Sequence, residues 1–390
     1  MRRISIFGAT GSIGENTLDQ LTPGEVDVVA LTGGRQVDRL ADHARRFGAG
    51  LAVTAYPDCY GALKEALAGS GVEVAAGPEA VAEAADRPAD WVMSAIVGAA
   101  GLAPGIRALA QGGTLALANK ESLVTAGPVL LSTAARHGAT ILPVDSEHSA
   151  VFQALVGEQA SAVERVIITA SGGPFRDWPA ERIAAATLEQ AVAHPNWSMG
   201  QRISIDSASM FNKALELIET KEFFGFAPSQ IEVIVHPQSI IHAMVGFADG
   251  AVMAHLGPHD MRHAIGYALN WPDRGNVPVE RLDFARLAEL TFLAPDEVRF
   301  PALRLAREVM ATGGLSGAAF NAAKEIALDH FIAGTLGFSE MAAVVEEVLA
   351  RLSGEMCRNN AALTLEDVHG MDHLARRKAV EVIRDRQGKR

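Results

Sequence analysis

The chain has 390 residues, 49% hydrophobic and 21% charged, which is enough apolar material for two or three packed domains and excludes a disordered chain. A formal net charge of -12, with no dense run of lysine or arginine, excludes a general nucleic-acid binder but leaves room for a local basic pocket. The two cysteines, Cys59 and Cys357, lie far apart and suggest neither a disulfide framework nor a thiolate metal site.

The first predicted element is a short apolar strand over residues 3–7, reached with no signal-like apolar region before it. A glycine-rich turn, GATGSIG at 8–14, and an amphipathic helix to about residue 21 follow. Strand, glycine turn and helix in that order are what a dinucleotide fold requires: the glycines let the backbone approach a pyrophosphate, and the helix N-terminus offers N–H donors. The G-x-x-G-x-x-G spacing is a variant of the common fingerprint, and a plain tight turn is the alternative. The second strand, 26–31, ends in TGGRQ at 32–36. Where an NAD enzyme commonly carries an acid for the ribose 2′-hydroxyl, this chain has Arg35, which suits the 2′-phosphate of NADP; a solvated loop arginine is the alternative.

Further strands read at 51–54, 72–75, 91–95, 114–118 and 140–144, separated by helical patterns such as 37–47 and 60–67. That alternation predicts a doubly wound, mostly parallel sheet. The most apolar stretch, 91–110, is broken by Gly98, Gly101, Pro104 and Gly105, so it reads as strand, loop and helix start, not as a membrane span, and a cytoplasmic protein is expected. Two polar clusters follow strands of this sheet: NKES at 119–122 and DSEH at 145–148. In the second, Asp145 and Glu147 put two hard oxygen ligands at a strand's C-terminal end, where open sheets bind ligands. They share a divalent cation, or they cap a following helix over 149–155.

In the middle of the chain a strand at 165–169 runs into SGGPF at 171–175, which is either a nest for phosphate oxygens or an ordinary turn. The loop HPNWSMG at 194–200 mixes a rigid aromatic with hinge residues and reads as a lid, with a structural histidine and a packing tryptophan as the alternative. A helix capped by Asp206 or Ser207 is predicted to run to about residue 220, burying Met210, Phe211, Ala214, Leu215, Leu217 and Ile218. On it, Asn212, Lys213 and Glu216 point one way, as phosphate ligands beside a carboxylate or as a surface ion pair. Strands at 231–236, 239–246 and 251–256, the last two joined across Asp249 and Gly250, make this sheet mixed. Residues 270–301, interrupted by Pro272, Pro278 and Pro295, read as a connector, and helices near 302–311, 317–332, 339–352 and 365–384 form a terminal bundle.

Seven of these motifs, 8–14, 119–122, 143–148, 171–175, 194–200, 206–216 and 236–239, occur in this order in one family: the chain resembles the 1-deoxy-D-xylulose 5-phosphate reductoisomerases along essentially its whole length. The resemblance implies an NADPH-binding domain over 1–145, a catalytic domain over 146–275, a connector over 276–300, a helical domain over 301–390, and a homodimer. It also implies Mn²⁺, Mg²⁺ or Co²⁺ on Asp145, Glu147 and Glu216, with Lys120 and His194 joining these in the catalytic set. The sugar phosphate is implied to meet Lys120, Ser146, Glu147, Ser171, His194, Trp197, Ser207, Asn212, Lys213 and Glu216. NADPH is implied to meet Thr10, Gly11, Ser12, Ile13, Gly34, Arg35, Gln36, Asn119, Glu121 and Gly200. Two departures from the family pattern stand out: Arg35 replaces a common lysine, keeping the charge, and Lys324 replaces an expected asparagine, a change that puts only local packing or dimer details in doubt.

Two other readings compete. A semialdehyde-type dehydrogenase would need a placed thiol, and neither cysteine lies near a motif in the sequence. A non-catalytic NADP sensor would need no metal.

Overall fold

A computed structural model describes residues 1–197 and 200–388, so Ser198 and Met199 of the predicted lid lie outside the described residues. The chain packs as two compact units, Met1–Ser122 with Leu130–Ser149 and Asp260–Glu280, and Leu123–Val129 with Ala150–His259 and Arg281–Arg390.

The first unit holds seven strands: β1 (Arg2–Phe7), β2 (Val26–Gly33), β3 (Leu51–Thr54), β4 (Glu73–Ala76), β5 (Trp91–Ser94), β6 (Thr114–Leu117) and β7 (Thr140–Pro143). They form one sheet in the order β4-β3-β2-β1-β5-β6-β7, every pairing parallel. Parallel strands covered on both faces need apolar side chains on both, which is why β3 and β5 are buried at every position. Chain order reverses at β1, between β2 and β5, the switch point at which such sheets bind nucleotides. The glycine turn sits there. Gly8 has φ +92°, and a Cβ on it would come within 2.5 Å of the Ala95 carbonyl oxygen. A Cβ on Gly14 would lie 2.2 Å from the Gly8 carbonyl oxygen, so the helix Ser12–Leu18 packs on the turn only because both positions lack a side chain. One element of this unit had no sequence prediction: the helix Arg262–Asn270, whose Ala268 carbonyl accepts a 3.0 Å bond from the buried Trp91 indole N–H.

The second unit contains β8 (Val163–Ala170), β9 (Ile231–Val235), β10 (Ile241–Phe247) and β11 (Val252–Leu256), in the order β11-β10-β8-β9. The β8–β9 pairing is parallel and the other two are antiparallel, giving the expected mixed sheet. The β10–β11 turn is closed by Gly250 at φ +88° and by the Asp249 carboxylate accepting from Ala251 N–H at 2.9 Å. The terminal helices are Ala302–Thr312, Ser316–Ile332, Glu340–Arg351 and Leu365–Gln387, close to the predicted four. Among the described residues no helix is long and apolar enough to cross a membrane.

Two predicted helices start elsewhere. The helix expected over 149–155 runs from Ser146 to Ala154, so Ser146 and Glu147 occupy its first turn instead of an extended strand end. Asp145 caps it: its carbonyl accepts from Ser149 N–H at 2.8 Å and its carboxylate from Glu147 N–H at 3.4 Å. The single helix expected from 206 to 220 is two, Gln201–Ala208 and Phe211–Phe224. Met210 at φ +62° separates them, and the Ser209 hydroxyl turns back to the Ile205 carbonyl at 2.8 Å. Ser207 therefore lies in the last turn of the first helix and not at the positive end of the second.

Candidate functional site

The first unit brings its polar clusters to the C-terminal ends of its strands. Asn119 follows β6 and caps the helix Lys120–His137, its Oδ1 accepting from Ser122 N–H at 2.9 Å. Its Nδ2 donates to the Ile96 carbonyl, to the Gly98 carbonyl at 2.9 Å and to Glu121 Oε2 at 3.2 Å. Asn119 thus fixes the loop after β5, which borders the switch point. Lys120, one residue on, places Nζ 2.7 Å from Asp145 Oδ2, with both side chains nearly buried. Burial pushes the Asp145 carboxyl upward, but the Lys120 ammonium and His148, whose Nδ1 is 3.7 Å away, outweigh it and hold the group well below the usual carboxylate range. Glu147 Oε2 accepts from the Ser146 hydroxyl at 2.5 Å.

After β2, Gly34, Arg35 and Gln36 form the loop predicted to recognise a 2′-phosphate. Arg35 is exposed, stacks its guanidinium 4.0 Å from the Tyr56 ring centroid and pairs Nη1 with Asp58 Oδ2 at 2.7 Å. Cys59 Sγ lies 3.9 Å from the same nitrogen, so this thiol, remote from every motif along the sequence, is beside one in space. In the glycine turn Thr10 is buried, Gly11 and Ser12 are exposed, and Ile13 is half-buried.

The second unit carries a second lysine–carboxylate pair. Glu216 is 1% exposed; its Oε1 accepts from Asn212 Nδ2 at 2.6 Å and its Oε2 from the Lys213 ammonium. The surface-pair alternative is therefore overturned, because a pair this deep exists only with its partners supplied.

Ser171, after β8, is the hydroxyl of the SGG turn, whose Gly172 and Gly173 both have positive φ. Its Oγ accepts from Gly173 N–H at 3.1 Å and lies 3.1 Å from His194 Nε2. His194 Nδ1 accepts from the Asn196 and Trp197 backbone N–H groups at 3.2 and 3.0 Å, so the ring proton resides on Nε2. Burial, aided by His259, lowers the His194 pKa to about 4, so the ring is neutral at pH 7. Both lone pairs of Ser171 Oγ are then occupied, so toward any further partner the hydroxyl can act only as a donor. Trp197 is half-buried, its ring 5.4 Å from His259 and 6.3 Å from His242. Gly200 is exposed and precedes the helix Gln201–Ala208.

Three contacts had no signal in the motif reading. Tyr56 and Asp58 follow β3, the strand beside β2, so adjacency in a doubly wound sheet was the one hint to their place near Arg35. Lys324 pairs with Asp206 at 2.9 Å across 118 residues, which no local pattern reveals.

A parallel sheet with a glycine turn at its switch point defines a dinucleotide-binding enzyme of the Rossmann type. Comparison with known proteins narrows that class. The family model described as 1-deoxy-D-xylulose 5-phosphate reductoisomerase matches residues 4–127, and models of the C-terminal domains of the same enzyme match 141–224 and 256–378. The 1-deoxy-D-xylulose 5-phosphate reductoisomerase of Cereibacter sphaeroides is 71% identical over 394 residues, covering 100% of both chains. The solved Zymomonas mobilis enzyme in complex with NADPH superposes with a TM-score of 0.91 at 47% identity, covering 98% of this chain and 99% of that one. A reductoisomerase solved with NADPH, fosmidomycin and magnesium gives a TM-score of 0.93 at 38% identity, over 98% of each chain. This chain belongs to the 1-deoxy-D-xylulose 5-phosphate reductoisomerase family.

Proposed function

We propose that this chain converts 1-deoxy-D-xylulose 5-phosphate to 2-C-methyl-D-erythritol 4-phosphate, using NADPH and a divalent cation, in the making of isoprenoid precursors. The observation that carries this reading is the match to reductoisomerases over the full chain, in which all seven motifs are present. On this reading residues 1–145 hold NADPH, 146–275 hold metal and substrate, 276–300 connect, and 301–390 form the helical domain.

The carboxylates fit a hard cation. All three candidate ligands offer oxygen alone, the donor set of Mg²⁺ and Mn²⁺, and a cation would compete with the Lys120 and Lys213 ammonium groups that pair with Asp145 and Glu216. Asp145, Glu147 and Glu216 would hold the ion, which supplies Lewis acidity toward the sugar's carbonyl. The glycine turn fits a pyrophosphate and Arg35 a 2′-phosphate, and NADPH supplies the hydride that reduces the rearranged aldehyde. Thr10, Gly11, Ser12, Ile13, Gly34, Gln36, Asn119, Glu121 and Gly200 complete the cofactor contacts. Ser171, Ser207, Asn212 and Lys213 anchor the substrate phosphate, with Ser171 presenting its proton because His194 and Gly173 fill its acceptor positions. Lys120 and Ser146 orient the oxygens of the reacting end, and Trp197 covers the bound sugar and excludes water.

The direct test is NADPH oxidation by the purified chain with 1-deoxy-D-xylulose 5-phosphate. Turnover is expected with Mg²⁺ or Mn²⁺ and none after chelation. Undiminished NADPH oxidation in chelator would remove the metal from the mechanism, and no oxidation under any condition would favour a sensor.

The enzyme is a homodimer on this reading. The β9 edge is bridged by Leu293, whereas β11 is an edge strand with Val252 and Met253 exposed at 49% and 42%. A bare apolar edge invites pairing with its own copy about a two-fold axis. Light scattering is expected to give twice the mass of one chain, and Met253→Lys to shift the population toward single chains. A wild type that scatters as one chain at micromolar concentration would refute the dimer.

A further inference from the structure

Resting on the reading of Arg35 as the 2′-phosphate contact, we infer that Tyr56 and Asp58 set the preference for the phosphorylated cofactor, Tyr56 by holding the Arg35 guanidinium and Asp58 by competing for it. The loops after β2 and β3 lie side by side, because the two strands pair in register from Ala30 with Leu51 to Gly33 with Thr54. They are tied together at their bases: the Thr54 hydroxyl donates to the Gly34 carbonyl at 2.9 Å and accepts from Tyr56 N–H at 3.3 Å. This tether puts the Tyr56 ring under Arg35, 4.0 Å from ring centroid to Cζ, and lets Asp58 Oδ2 reach Nη1 at 2.7 Å.

The two neighbours act in opposite directions. A stacked ring confines the guanidinium plane, so less freedom is lost when an anion docks on it. A carboxylate on Nη1 occupies a position that a phosphate oxygen would take, and the incoming 2′-phosphate must displace it. Asp58 is therefore an internal stand-in for the ligand's charge. The Arg35 and Asp58 side chains are 59% and 64% exposed, so the competition is modest and screened by salt.

The test uses the full chain without substrate and measures binding of NADPH and NADH, which differ by the 2′-phosphate alone, by nicotinamide fluorescence. Tyr56→Leu is expected to weaken NADPH about 2- to 5-fold while NADH changes little, and Tyr56→Phe to restore wild-type binding. Asp58→Asn is expected to tighten NADPH by about 2- to 5-fold in low salt, with the gain vanishing at about 0.5 M salt. Equal weakening of both nucleotides by Tyr56→Leu, or no gain with Asp58→Asn in low salt, would overturn the inference. Arg35→Ala keeps the two levels apart. It is expected to weaken NADPH about 10-fold or more and to spare NADH. If Arg35→Ala is selective while the Tyr56 and Asp58 variants are not, the inference fails and the cofactor reading stands. If Arg35→Ala weakens both nucleotides alike, the cofactor reading itself falls.

Discussion

Glu216→Gln is expected to give a folded protein that binds NADPH within about twofold of wild type and turns over about a hundred- to a thousandfold more slowly. The substitution keeps the side chain's volume and leaves an amide oxygen for the Asn212 Nδ2 donor that now sits at 2.6 Å. It removes the charge. A neutral amide is a poorer ligand for a hard dication than a carboxylate, so the metal concentration at half-maximal rate should rise about 10- to 100-fold. Some stability is lost as well, because the buried Lys213 ammonium loses the charge of this carboxylate. A merely structural Glu216 would lower the melting temperature and leave the metal titration of the surviving enzyme unchanged. Wild-type turnover at the same metal concentration would take Glu216 out of the metal site.

The contrast between Glu216 and Ser207 shows where the sequence spoke and where it was silent. The spacing of Asn212, Lys213 and Glu216 stated their shared helical face outright, since i,i+3 and i,i+4 neighbours meet on any helix. Ser207 was assigned to the same helix because nothing in 206–220 marks a break. The break is Met210 at positive φ, a conformation that a β-carbon disfavours and that only surrounding packing imposes. Strands β3 and β5 of the first unit were legible because parallel strands buried on both faces read as short apolar runs. The helix Arg262–Asn270 was not, since its partner surface, the β5 residue Trp91, lies about half the chain away in sequence. Asn119 illustrates a third case. The family resemblance implies a cofactor contact for Asn119; the structure shows it capping a helix, and the loop that the same amide ties down borders the switch point of the sheet, so the two roles are compatible.

Lys324→Met is the second large effect expected. In the sequence this lysine was a departure that bore on packing or dimer details alone; in the fold its Nζ meets Asp206 Oδ2 at 2.9 Å, with the two side chains 3% and 10% exposed. Methionine matches the aliphatic stem and deletes the charge, leaving Asp206 buried beside an apolar chain. Removing one member of such a pair costs about 3–5 kcal/mol, far more than the pair's net worth, because the survivor has lost water and partner together. The urea midpoint should fall accordingly with an unchanged slope. The surface pair Arg304–Glu308 provides the scale: with side chains 40% and 52% exposed, its loss through Glu308→Gln, which leaves the Arg304–Glu346 pair in place, should cost under about 1 kcal/mol. Asp206→Asn alone should be destabilising too, and the Lys324→Met, Asp206→Asn double variant should recover part of the loss, since neither charge is then stranded. Strict additivity of the two single losses would mean that the charges do not interact, and the helix Gln201–Ala208, which carries Ser207, would then owe its position to apolar packing and not to this pair.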